Sequence, residues 1–356
     1  MSLALEHSTV AFDQPVCLIA EIGLNHDGQL DQALRLIDAA KKSGANVAKF
    51  QIFQTDHFIH PAAELGDLGP GSLADFFRRF ELDASDWQRV RQHCRDRQID
   101  FMASVFDLPS LELYASLDPV ALKIASCEVS NPILQADARR VLAPMPWLVS
   151  SGTCTEPEID AFMQAHAEQN IVLMECVSAY PAQPGDYQPA LLVQWAAKFH
   201  CLCGLSDHTM GMGVSAHAAA LGAVVIEKHF TLDRSLPGAD HAISATPTDL
   251  AQLRSILDEI QASRSGPVTG RQCRPAEEGA RLYGRRGLYA REDIAAGQSL
   301  TITNTVALRP ARGTCHASQW PDLQRSKCNV DLRALDIIAC PADQSDPDNK
   351  GDDHFS

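Results

Sequence analysis

Between positions 16 and 227 the chain repeats one pattern: a short run of apolar, often β-branched residues, then a longer stretch in which apolar side chains return every three or four places. The runs fall at 16–22, 47–51, 99–103, 120–125, 147–151, 171–176, 201–205 and 223–227. Continuous apolar runs fit strands buried on both faces, as in a parallel sheet. The stretches between them have the helical period. Leu30, Ala33, Leu34, Ile37 and Ala40 recur on one face before a stop at Gly44, and Trp87, Val90 and Cys94 make a similar stripe. Residues 110–117, 156–165, 191–199, 214–221 and 249–260 read as further helices. Eight alternations predict an α/β protein of the closed (β/α)8, or TIM, barrel class, with an open doubly wound sheet as the structural alternative.

The pattern breaks after residue 260. Residues 263–279 are rich in Ser, Arg, Pro and Gly, and read as linker. Gly287-Leu288-Tyr289-Ala290 and Ser299-Leu300-Thr301-Ile302 read as short strands around a turn at Gly297, leading into Val306-Ala307-Leu308-Arg309-Pro310. The expected organisation is therefore an N-terminal extension (1–15), a barrel (16–262), a linker (263–283), a small β-rich domain (284–340) and an acidic, disordered tail (341–356).

Composition narrows the function classes. A net charge of -15 argues against nucleic acid, whose binding needs a basic footprint. No apolar stretch is long enough to span a bilayer and residues 1–14 lack a signal-peptide pattern, so no membrane partner and a cytoplasmic location are expected. The 11 cysteines are scattered through apolar segments, which favours reduced thiols; Cys201-Leu202-Cys203 lacks the spacing of a redox or zinc pair.

In a barrel the strand ends converge on one face, the usual place for an active site. This chain delivers Glu21, Asn25 and His26 from the first strand, Lys49 and Gln51 from the second, and Ser104 from the third. Lys123, Ser126 and Glu128 come from the fourth, Ser150 and Ser151 from the fifth, and Ser178 and Tyr180 from the sixth. The last two strands end in Ser206-Asp207-His208 and Glu227-Lys228-His229. Two lysines in apolar strands demand partners, because a buried unpaired ammonium is costly. An anion cradled by serines would satisfy both; so would Glu21, Glu128 or another carboxylate as salt bridges inside the barrel. Two histidines closing neighbouring strands can share a divalent metal with open positions, or can each hydrogen-bond locally. Such an ion would polarise an aldehyde. Manganese suits two nitrogen ligands plus open positions, with magnesium or cobalt as alternatives. Asn25 and His26 read as shaping the first loop, and Glu128 as an acid, a base or a neutralising partner of Lys123.

These residues fall in ordered motifs. Ala20-Glu21-Ile22-Gly23-Leu24-Asn25-His26, Lys49-Phe50-Gln51, Lys123-Ile124-Ala125-Ser126 and Ser178-Ala179-Tyr180-Pro181 are followed by Leu205-Ser206-Asp207-His208-Thr209, Glu227-Lys228-His229-Phe230-Thr231-Leu232-Asp233 and Pro237-Gly238-Ala239-Asp240-His241. Together, over residues 16–309, the chain resembles the sialic acid synthases. The resemblance implies a barrel enzyme followed by an antifreeze-like (SAF) domain, working as a domain-swapped homodimer. It implies condensation of phosphoenolpyruvate with an open-chain N-acetylated amino sugar, N-acetylmannosamine or a diacetamido hexose, to give a nine-carbon 2-keto acid and phosphate. By the same resemblance His208 and His229 hold the metal, and Lys49, Ser104, Lys123, Ser126, Ser150, Ser178 and Ser206 cradle phosphoenolpyruvate. Glu21, Gln51, Tyr180 and Asp240 face the sugar, Arg309 reaches the partner subunit's sugar, and Glu128, Lys123 and Glu21 are the catalytic candidates.

The chain departs from the family pattern at Cys127, Val105 and Ala242, and at Ala334 and Leu335, where relatives often have a glycine turn. Competing readings are a metal-dependent barrel aldolase or hydrolase and a non-catalytic sugar-phosphate-binding protein.

Overall fold

Period-two alternation governs the central strands. The computed structural model describes residues 2–66, 71–264, 270–311 and 313–339, and divides into two compact units, Met1–Gly266 and Pro267–Ser356. An antiparallel pair, β1 (Ser2–Ala4) and β2 (Thr9–Ala11), comes first. Eight parallel strands follow: β3 (Cys17–Gly23), β4 (Val47–Ile52), β5 (Asp100–Val105), β6 (Leu122–Ile124), β7 (Trp147–Ser150), β8 (Ile171–Cys176), β9 (Leu202–Asp207) and β10 (Val225–His229). They pair in chain order and β10 closes on β3, forming a barrel rather than an open sheet.

One parity of each strand packs outward. Leu18, Ala48, Phe101, Leu122, Val149, Leu173, Leu205 and Ile226 join the large cluster between strands and helices. The other parity fills the interior with Ile19, Val47, Met102, Leu148, Val172 and Val225. Two residues further along the same inward rows, the side chains become Glu21, Lys49, Ser104, Ser150 and Glu227. The interior thus changes from apolar to charged at one level, toward the carboxyl ends of the strands.

The helices start where local chemistry satisfies their first N–H groups. Asp83, Asp107 and Asn131 cap Ala84–Asp96, Leu108–Ser116 and Pro132–Val141, and Glu158 bonds Thr155 at the start of Glu156–Ala165. Residues 1–15 contribute more than an extension. Leu3 and Val10 are buried in the interior cluster, and Asp100 accepts from the Ser8 hydroxyl and, at 2.8 Å, from His7 N, so the pair stoppers one end of the barrel.

Several sequence expectations need correction. Helix Pro132–Val141 was not foreseen, because Gln135, Asp137, Arg139 and Arg140 dilute its apolar face. The expected linker 263–283 contains the end of helix Pro247–Arg264 and all but the last residue of helix Glu278–Gly284. In the second unit the partner of β11 (Gly287–Ala290) is β12 (Thr305–Leu308), not residues 299–302. Ser299 makes an isolated bridge to Lys327, and Asn304 pins the following turn through Thr301 N and Ser299 O. Leu288, Ala290, Ile294, Leu300, Cys315 and Ile338 form this unit's small core. The tail at 341–356 lies outside the described residues. The described cysteines are all free, and among the described residues no helix is long and apolar enough to cross a membrane.

Candidate active site

The charged level of the barrel is a chain of alternating charges. Lys49 Nζ lies 2.6 Å from Glu21 Oε2 and 3.6 Å from Glu227 Oε1, and Lys123 Nζ lies 3.5 Å from the same Glu227 oxygen. All four side chains are buried. Burial, the largest influence on Lys49, would lower its pKa, but Glu21 and Glu227 outweigh it and raise it. Lys123 goes the other way: burial and the nearby Lys49 push it down against Glu227. Glu227 is deeply buried, yet Lys123 and Lys49 bring its pKa to about 2. The lysines are therefore partnered by carboxylates, and an entering anion would have to share or replace those partners.

Hydroxyls surround this chain. Lys49 Nζ donates to Ser104 Oγ at 3.3 Å and Lys123 Nζ to Ser150 Oγ at 2.6 Å, while Ser206 Oγ donates to Glu227 at 3.0 Å. Ser126 Oγ is 3.4 Å from Cys176 Sγ. Gly152 opens the space between these groups: a Cβ there would collide with Ser178 Oγ and sit 2.7 Å from Ser126 Oγ and 3.2 Å from Cys176 Sγ. Lysines, serines and a bare backbone form a donor set suited to a small anion.

The two histidines close the same level. Their ring centroids are 5.3 Å apart. Val177 O, 2.7 Å from His208 Nδ1, accepts a hydrogen bond from Nδ1–H and leaves Nε2 with its lone pair free to bind. Burial first, then neighbouring His229, hold the His208 pKa at about 3, so the imidazole is neutral, the form a metal needs. Tyr187 fixes the end of β9 by accepting from His208 N at 2.8 Å and donating to Ser206 O at 3.1 Å. His229 Nδ1 is buried without a hydrogen-bond partner, and Asp240 Oδ2 is 3.7 Å away. An orphaned imidazole nitrogen beside a neutral imidazole fits a divalent cation. Among the described residues no set of three or more His, Cys, Asp or Glu side chains has metal-binding geometry, so the pair would hold an ion only together with water or substrate oxygens.

Around the pair, Tyr180 is 55% exposed and its ring lies 4.4 Å from His208, centroid to centroid. Gln51 Nε2 donates to Glu21 Oε1 at 3.1 Å. Tyr180 and Asp240 thus stand beside the histidines, Glu21 is paired in register with His229 on the neighbouring strand, and Gln51 joins them through Glu21. Glu128 is buried in the turn Ser126–Glu128, where Asn131 Nδ2 donates to its Oε2 at 2.7 Å. Arg309 belongs to the second unit, exposed just past β12.

Parity sorts the remaining strand-end residues. Asp207 and Lys228 stand on the outward rows and pair with each other at 3.1 Å, so they serve the fold rather than the inward charged level. Asn25 and His26 shape the first loop as expected. Asn25 Nδ2 donates to Phe230 O and Ser244 Oγ at 2.9 Å each, and burial takes His26 to a pKa of about 4. Sequence reasoning placed Glu227 at a strand end but gave it no role, and it passed over Gly152 and Cys176. The signal for Glu227 was present: two residues before His229 on a strand, it must share that histidine's face.

Comparison with known proteins gives the family. Residues 36–268 match the model of the NeuB family. The spore coat polysaccharide biosynthesis protein SpsE of Bacillus subtilis is 34% identical over 86% of this chain and 87% of its own. The N,N'-diacetyllegionaminic acid synthase of Legionella pneumophila is 32% identical over 89% and 91%. A pseudaminic acid synthase of Campylobacter jejuni is 30% identical over 92% and 96%. Among solved structures, the N-acetylneuraminic acid synthetase of Leptospira borgpetersenii, in complex with citrate, superposes with a TM-score of 0.70 at 29% identity, covering 78% of this chain and 94% of its own. The chain belongs to the NeuB family of sugar-acid synthases.

Proposed function

We propose that this protein condenses phosphoenolpyruvate with an open-chain N-acetylated amino sugar and water, giving a nine-carbon 2-keto sugar acid and phosphate. The observation that carries the reading is the buried chain Glu21–Lys49–Glu227–Lys123, ringed by serines and set against two imidazoles on the carboxyl face of the barrel. Relatives that make legionaminic and pseudaminic acids widen the sugar class beyond N-acetylmannosamine to diacetamido hexoses.

In this reading Lys49, Lys123, Ser104, Ser126, Ser150, Ser178 and Ser206 hold the phosphate and carboxylate, and Gly152 leaves them room. Glu21, Gln51, Tyr180 and Asp240 orient the sugar, which brings its aldehyde carbon against carbon 3 of the enol. That carbon forms the new bond; the cation left at carbon 2 is captured by water, and the tetrahedral intermediate expels phosphate by carbon–oxygen cleavage. The lysines meet the negative charge on the departing phosphate with fixed positive charge. Glu128 takes a proton from the attacking water and passes it to the former aldehyde oxygen, which the new carbon–carbon bond leaves as an alkoxide; the remaining hydroxyl proton leaves with the phosphate as the keto group forms. A divalent ion, manganese first, held by His208 and His229 would supply Lewis-acid polarisation of the aldehyde. The small unit as an antifreeze-like domain, a swapped dimer that delivers Arg309, and a cytoplasmic location complete the proposal.

The test is phosphate release from phosphoenolpyruvate with manganese, comparing N-acetylmannosamine, its 6-phosphate and a 2,4-diacetamido hexose, with and without chelator. Release with one sugar, lost on chelation and accompanied by a product of the expected mass, supports the synthase and names its substrate. Folded, metal-loaded protein that releases none with any of the three rejects it for these sugars and moves weight to aldolase, hydrolase or binding chemistry.

A further inference from the structure

The turn that carries Ser126 and Glu128 is braced from outside the barrel by a histidine that none of the steps above uses. The turn runs through the N-cap Asn131 into helix Pro132–Val141. One helical turn on, buried Gln135 reaches back: its Nε2 donates to Glu128 O at 2.8 Å and Val129 O at 2.9 Å. Both amide hydrogens are thereby used, so Gln135 Oε1 must face the other way. There it meets His166 Nε2 at 3.0 Å. Arg139 Nη1, which can only donate, lies 3.2 Å from His166 Nδ1, so Nδ1 accepts and Nε2–H is the donor to Gln135.

His166 cannot easily move. It ends helix Glu156–Ala165, is 4% exposed, and has the Trp147 and Phe162 rings at 5.1 and 4.4 Å. Burial, and then the Arg139 charge, lower its pKa and so favour the neutral ring, while Arg139 and Gln135 fix the tautomer. The two Gln135 N–H hydrogens and the His166 Nε2–H hydrogen each have one acceptor to serve. Without the His166 N–H, Gln135 Oε1 is left buried with no donor, and because a flip would set that oxygen against two carbonyl oxygens, the side chain can satisfy it only by shifting away from Glu128 O and Val129 O.

We propose that His166 is a positioning residue which, through Gln135, fixes the turn holding Ser126 and so sets the affinity for phosphoenolpyruvate without touching the sugar side of the site. The inference rests on the reading of Ser126 as a phosphoenolpyruvate ligand. The groups named for the sugar stand on other strands and loops, so loosening this turn acts on phosphoenolpyruvate binding, and on kcat through Glu128, but not on the affinity for the sugar.

The experiment uses the full chain. His166→Phe keeps a buried ring and loses the N–H, whereas His166→Gln keeps an N–H within reach. In His166→Phe the KM for phosphoenolpyruvate should rise about tenfold, the sugar KM should stay within about twofold, and amide exchange over residues 126–131 should quicken about tenfold. His166→Gln should restore most of both effects. Equal rises in both KM values, unaltered exchange over 126–131, or no rescue by glutamine would each overturn the proposal. Should His166→Phe fail to fold, Gln135→Met carries the first two expectations in its place. Exchange is read without turnover, so it decides the brace even for a chain that releases no phosphate, an outcome that counts against the proposed function instead.

Discussion

Glu227 is the residue on which the buried charges turn. It is the common partner of Lys49 and Lys123, at 3.6 and 3.5 Å, while Lys49 alone has a second carboxylate in Glu21. Replacing it by glutamine keeps the shape and the Ser206 contact but strands Lys123, whose other close partner is the neutral Ser150 hydroxyl. Removing one member of a buried ion pair costs about 3 kcal/mol or more, because the remaining charge stays desolvated. In this site an anionic substrate can take the place of the lost carboxylate. Glu227→Gln should therefore lower unfolding stability by about 3 kcal/mol without ligand, and saturating phosphoenolpyruvate should recover more stability in the variant than in the parent. Denaturant midpoints with and without phosphoenolpyruvate measure both quantities. An equal ligand effect in the two proteins would mean that phosphoenolpyruvate does not approach Lys123. Residue identity alone could not announce this pairing. The sequence left an anion and internal salt bridges as two answers for the lysines, and only the distances show that the carboxylates already hold them.

At the scale of elements, the site depends on where strands stop and turns begin. Residues 150–155 leave β7, pass Gly152 and enter helix Glu156–Ala165 through the Thr155–Glu158 bonds, so the backbone at 152 is fixed from both sides. Gly152→Ala would fill the gap between Ser126, Ser178 and Cys176. Its φ lies outside the left-handed region, so the expected damage is to ligand space rather than to the backbone. Displacing reacting groups by about an ångström costs about a hundredfold in rate, and kcat/KM for phosphoenolpyruvate should fall by about that factor while the thermal midpoint changes little. A variant that binds and turns over phosphoenolpyruvate normally would remove Gly152 and its serine neighbours from the cradle. The strands themselves were legible, because apolar runs report burial and period two reports the face. Less legible were elements whose burial is partial, such as helix Pro132–Val141, or whose register comes from side-chain pins, such as the Asn304 turn that turned 299–302 away from a strand. The β1–β2 stopper was hidden for a related reason: three-residue strands carry too little periodicity, and only Leu3 and Val10 are deeply buried in the barrel's inner cluster.

On the scale of the whole molecule, charge sets a condition that the local site does not cancel. The chain carries -15, whereas Glu21 and Glu227 balance Lys49 and Lys123, leaving the buried chain without the excess positive charge that would draw an anion from a distance. Phosphoenolpyruvate must then approach against the mean field, and the neutral amino sugar need not. At about 10 mM salt the Debye length of about 30 Å spans a barrel of this size, while at about 150 mM it shrinks to about 8 Å and the distant acidic surface no longer reaches the mouth. Raising salt across that interval should increase kcat/KM for phosphoenolpyruvate by about twofold to fivefold, with kcat/KM for the sugar changed little. Steady-state kinetics at constant pH and metal, with one substrate varied at saturating levels of the other, read the two dependences separately. The opposite slope for phosphoenolpyruvate would mean that the ion proposed at His208 and His229, or Arg309 of a second subunit, outweighs the acidic surface at the mouth. The sign of the slope thus distinguishes a barrel that recruits its anion by short-range contacts alone from one that depends on charge the isolated chain does not itself provide.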